Sequence, residues 1–121
     1  MKTLILMFVL FTGFTFSQDK IFEAKVANPK QFQESKTSGE FKFIFPKETK
    51  KETIEKNAAF YTEFFTTQYD EASHIVTIKM LVNDAKSRQI INRFMISNRI
   101  SQIEMDGVLF KVDEFYQKQL K

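Results

Sequence analysis

Phe41-Lys42-Phe43-Ile44-Phe45, closed by Pro46, decides how the rest of this 121-residue chain is read. Aromatic side chains recur at every second position, the period of a strand, so Phe41, Phe43 and Phe45 share one face and Lys42 and Ile44 the other. Proline lacks the N–H that a ladder needs and ends the strand. Thr49 and Glu52 follow at capping-box spacing, in which hydroxyl and carboxylate each satisfy an unpaired amide at a helix start. The pattern predicts a helix from about Lys50 to Tyr61 that buries Ile54, Ala58 and Tyr61.

Downstream, Glu63 to Tyr69 and Ile75 to Val82 read as an antiparallel hairpin, joined by the turn formers Asp70-Glu71-Ala72-Ser73. Val76, Ile78, Met80 and Val82 share its buried face. Asn83 or Asp84 can cap the next helix, whose apolar stripe is Ile90, Ile91, Phe94 and Met95 and whose stop is Asn98. A strand with Ile103 and Met105 on one face comes next. Asp106-Gly107 is the strongest hairpin signal in the chain, because both residues tolerate the positive backbone angles of a tight turn. It leads to alternating Val108, Phe110 and Val112, and then Asp113 caps a short helix with Phe115, Tyr116 and Leu120.

The order from residue 41 to residue 105 is strand, helix, strand, strand, helix, strand. Two right-handed crossovers side by side give an α+β fold, the ferredoxin-like βαββαβ sandwich, with an antiparallel four-stranded sheet and two helices on one face. The final hairpin adds a fifth strand and a short helix. Upstream the pattern is weaker. Ile21 to Val26 reads as at most an added edge strand of a lead-in segment, residues 18–40, which turns into the domain of residues 41–121 at Thr37-Ser38-Gly39.

The first 17 residues have the make-up of a cleavable signal peptide: Lys2, an apolar run from Leu4 to Phe11, and small residues at Thr15 and Ser17. A spanning helix needs about 20 apolar residues, and Ser17-Gln18-Asp19-Lys20 interrupts too early. The expected destination is the periplasm or the exterior, without a stable membrane anchor. The mature chain of 104 residues suits one domain, and with no cysteine its stability must come from packing. Its charge near +2 supplies no strong field toward nucleic acid, and no aromatic and glycine signature of RNA-binding sheets is present.

Thr53-Ile54-Glu55-Lys56 in the first helix gives residues 41–105 a resemblance to heavy-metal-associated domains, the copper-chaperone module. In that family the loop after the first strand carries two cysteines separated by two residues, and Lys47 and Lys50 stand at those positions here. An ammonium group has no lone pair to give, so the resemblance implies a degenerate module that has lost its soft-metal site. No cofactor is expected.

The remaining constellations favour structural roles. His74 is the only histidine, and Met80, Met95 and Met105 fall on core stripes, which leaves a methionine or histidine metal site as the alternative. The carboxylates of Asp70, Glu71, Asp84, Glu104, Asp106, Asp113 and Glu114 sit mostly at turns and caps, and three glycines leave no phosphate-cradling loop. No catalytic residue is assigned. Lys47, Lys50, Lys86, Arg88 and Arg93 form the candidate interaction surface. The expectation is a non-enzymatic exported binding module that meets an envelope protein partner through an aromatic open sheet face or its terminal strands, its oligomeric state open.

Overall fold

A computed structural model describes residues 22–121; the expected signal peptide at residues 1–17 lies outside them. The chain runs β1 (Phe22–Val26), α1 (Phe32–Ser38), β2 (Glu40–Ile44), α2 (Lys51–Ala58), β3 (Phe65–Asp70) and β4 (Ile75–Met80). It continues through α3 (Ala85–Arg88), α4 (Ile90–Ser97), β5 (Ile100–Met105), β6 (Val108–Lys111) and α5 (Val112–Phe115), and a single π turn (Tyr116–Leu120) closes it. The result is a mixed α+β fold around one six-stranded sheet of order β3-β4-β2-β1-β5-β6.

That order corrects the four-plus-one sheet expected above. β1 is no edge strand but lies between β2 and β5, antiparallel to the first and parallel to the second. Its inward side chains are the small Ala24 and Val26, both buried, while Glu23 and Lys25 face outward. The Lys25 ammonium lies 3.5 Å from the Glu104 carboxylate on β5, an ion pair between neighbouring strands on the open face. α1 was not expected either. Its seven residues bury one side chain, Phe32, and end at Gly39, whose φ of +80° is the left-handed conformation that glycine adopts without cost. A Cβ there would meet the Asn83 side chain at 3.3 Å.

The strand registers put Val26, Phe41, Phe43, Phe65, Val76, Ile78, Ile103 and Phe110 on one face, and all are buried. The helices cover that face, and two rings organise it. Phe115 lies 5.6 Å from Phe32, 6.2 Å from Phe43 and 5.8 Å from Phe110, joining α1, β2 and β6. Phe94 lies 6.0 Å from Phe45, 5.4 Å from Phe65 and 6.3 Å from Tyr61, joining α4 to the other half of the sheet. Tilted and edge-on pairs of this kind add about 0.5–1.5 kcal/mol each beyond their burial.

Local chemistry departs from the sequence reading at both caps. Thr49 does not cap α2: its backbone N–H is taken by a turn to the Pro46 carbonyl, its hydroxyl is buried without a partner, and Lys50 stands at the N-cap with no side-chain bond. Tyr61 belongs to a separate 3₁₀ turn after α2 and is half-buried. Val112 opens α5 rather than extending β6, and the Glu114 carboxylate accepts from the Lys111 N–H where Asp113 was expected to cap. Val82 lies beyond β4 and is exposed. By contrast Asp84 caps α3 by accepting from the Ser87 N–H at 2.7 Å, and Asn98 ends α4. Asp106 and Gly107 have φ of +53° and +83°, as their turn requires.

Candidate interaction site at the free edge of β3

The proposed basic surface does not assemble. Lys47 and Lys50 follow the C-terminal end of β2, whereas Lys86 follows that of β4, and the two strands run antiparallel, so these groups occupy opposite ends of the sheet. Arg93 is exposed midway along α4. Arg88 is only 8% exposed and serves the fold: its guanidinium donates to the carbonyls of Leu120 and Lys121 and to the Asn83 side-chain oxygen. Together with the Tyr116 hydroxyl on the Ala85 carbonyl, this clamps the C-terminal turn onto α3.

Nor is the open sheet face aromatic. By register it carries Thr66, Gln68, Thr77, Lys79, Lys42, Lys25, Gln102, Glu104 and Lys111 together with the aliphatic Ile44, Ile75 and Leu109, and the phenylalanines of β2 are buried on the other side. The aromatic face expected to meet a protein partner is therefore, among the described residues, a largely polar surface without a ring. The lone histidine is engaged in the hairpin: His74 has φ of +61°, its carbonyl accepts from the Phe45 N–H, and its Nδ1 lies 3.0 Å from the Tyr69 hydroxyl. Burial first, and the Glu71 and Asp70 carboxylates second, hold that hydroxyl above the usual tyrosine pKa. Met95 is fully buried, and Met80 and Met105 lie on strands separated by β2 and β1, roughly 14 Å at the usual strand spacing. Among the described residues no three His, Cys, Asp or Glu side chains come together to hold a metal ion, and no helix is long and apolar enough to cross a membrane.

What stands out is an edge. Among the described strands β3 borders only β4, in an unbroken register from Phe65 opposite Met80 to Asp70 opposite Ile75. The Leu81 N–H donates to the Phe64 carbonyl at 2.8 Å, which fixes the alternation: the backbone groups of residues 64, 66, 68 and 70 point to β4. Those of Phe65, Thr67 and Tyr69 therefore point outward, each with one N–H and one C=O. The strand holds no proline, no basic residue and no bulge, the devices by which edges are normally protected.

Two adjoining hollows run along this edge. One of about 340 Å³ lies between the end of α2 and the start of β3, with Ala58, Ala59 and Thr62 facing Phe65 and Thr67. The other, about 640 Å³, wraps the edge, with Lys51 and Glu55 of α2 on one side and Lys42 and Thr77 of the open face on the other. Glu55 and Thr67 line both. An extended chain laid here would meet unpaired backbone groups, small apolar side chains and one charge of each sign on the flanking helix. A third hollow of about 260 Å³ beneath α1 is less inviting, because Ser35, Ser38 and Lys42 in its wall are occupied by the Gln31 carbonyl, the Glu40 N–H and the Glu40 carboxylate.

No sequence signal marks β3 as the free edge, since edge position depends on where distant strands settle. Its Thr-Thr-Gln stretch, free of charge and proline, is the one local hint. The chain matches no family model, no curated protein and no solved structure.

Proposed function

We propose that this protein is an exported, non-enzymatic interaction module of the bacterial envelope that recognises an extended polypeptide segment by strand addition at β3. The observation that carries the reading is the outward row of backbone groups at Phe65, Thr67 and Tyr69 on a regular, unprotected edge. In strand addition, main-chain hydrogen bonds give affinity and hollows for alternate side chains give specificity, and the grooves beside α2 supply the second element. The reading treats β2 to β5 as a ferredoxin-like core widened by β1, of heavy-metal-associated descent, with Lys47 and Lys50 in place of its metal ligands. The signal-like residues 1–17 support export.

The test is photo-crosslinking in the living cell with p-benzoylphenylalanine placed at Gln68 on the β3 edge or at Lys79 on the open face. Crosslinks to a second polypeptide at position 68, weak or absent at position 79, are the expected outcome. The reverse distribution, or none at either position, would sink strand addition as the mode of action.

A further inference from the structure

We infer that the strand received at this edge is β3 of a second copy of the same chain, paired antiparallel about a two-fold axis through Thr67. The inference rests on the strand-addition reading above and names its partner. Two-fold pairing that continues the sheet requires facing residues to lie on the same side of it, and the hydrogen-bonded pairs must come from the outward set Phe65, Thr67 and Tyr69. Among registers that obey both conditions, centring on Thr67 alone engages the whole outward set. Thr67 then faces Thr67 of the second copy and Phe65 faces Tyr69.

Side chains agree with that register. On the open face Thr66 meets Gln68 of the second copy, a hydroxyl opposite an amide that both donates and accepts. From Phe65 to Tyr69 the strand is uncharged, so nothing repels within the paired stretch. On the helix side each copy offers Lys51 and Glu55 toward the groove, one charge of each sign, which a two-fold operation brings into reciprocal reach. The other edge, β6, has four residues and carries Lys111, and offers no comparable self-complementary stretch.

The chain contains no cysteine, so one introduced thiol reports on this geometry without background. In a hydrogen-bonded antiparallel pair the facing Cα atoms are about 5.5 Å apart, within the span a disulfide bridges. Thr67→Cys should therefore oxidise to an interchain dimer, while Thr66→Cys and Leu109→Cys should not. Sedimentation velocity of the wild-type protein should show concentration-dependent dimers. Thr67→Pro, whose lost N–H points away from β4, should weaken association roughly tenfold or more with an unchanged circular dichroism spectrum.

A wild-type protein that stays monomeric at millimolar concentration, Thr67→Cys that couples no better than Thr66→Cys, or a dimer that survives Thr67→Pro would each overturn the inference. If the monomer nevertheless gives edge crosslinks to a different polypeptide at position 68, strand addition stands and only the self-partner falls. With no edge crosslinks, both fall.

Discussion

The two edges of the sheet, β3 and β6, are built to different specifications. β3 has six residues in unbroken register, lacks basic and proline residues, and is flanked by a groove along α2. β6 has four, is bounded by the Asp106-Gly107 turn on one side and α5 on the other, and ends in Lys111. Alternation leaves β6 only two residues to present outward, too few to template another strand, whereas β3 presents an uninterrupted row. Natural sheets suppress such rows unless they are used. The contrast therefore separates an edge ended for solubility from an edge left available, although both are anchored by a phenylalanine in the same core.

The contrast can be broken or sharpened in several ways. The largest effect belongs to the anchors. Phe65→Ala should cost about 3–5 kcal/mol in urea unfolding, because the ring is fully buried against Phe94 and Tyr61. Phe110→Ala should cost less, about 3 kcal/mol, since that ring lies at the sheet margin and among the described rings touches only Phe115. Equal costs would mean that the two edges are held alike.

Next in size is a proline pair on β3. Gln68→Pro removes an N–H that serves the β4 ladder opposite Thr77 and should destabilise by about 2–3 kcal/mol. Thr67→Pro removes only an outward N–H and should stay within about 1 kcal/mol. Similar denaturation midpoints for the two variants would show that the outward set has been assigned to the wrong residues.

The smallest effect is a pH dependence at the hairpin that closes β3. The Ser73 hydroxyl, and then the Ala72 N–H, hydrogen-bond the Asp70 carboxylate and hold its pKa below the usual carboxylate range. A folded-state pKa below the unfolded one stabilises above the unfolded value, near 4, and that contribution disappears as pH falls through the folded value. Asp70→Asn should therefore melt slightly below the wild type at pH 7 and indistinguishably from it near pH 2. A gap that persists in acid would assign the effect to shape rather than charge.

Much of the β2-to-β4 region was legible in the sequence, because aromatic alternation, proline and turn residues act locally. Phe41, Phe43 and Phe45 turned inward as their period required, and Asp106-Gly107 closed its hairpin. The interior place of β1 escaped because its buried residues, Ala24 and Val26, are small, and Glu23 and Lys25 alternate with them on the open face, a weak pattern for an interior strand. α1 escaped because Phe32 is its only buried residue, which leaves no stripe to detect. At Thr49 the capping spacing is present, but the residue belongs to a turn bonded to the Pro46 carbonyl and Lys50 takes the N-cap place. The candidate site was the least legible part: Arg88 looks like any surface cation until the C-terminal carbonyls close over it. An edge, likewise, exists only once every other strand has found a neighbour.

The interior position of β1 ties the beginning of the described chain to its final third, since Phe22 pairs with Ile100 in the only parallel ladder among the described strands. Closing so long a span costs little more in entropy than closing a shorter one, but it cannot happen until both ends exist. A polypeptide that emerges N-terminus first would thus leave the β5-facing side of β1 unpaired until β5 arrives. Assembly should accordingly be late, concerted and slow for a domain of this length, and vulnerable to any chaperone or protease that meets the chain during that interval.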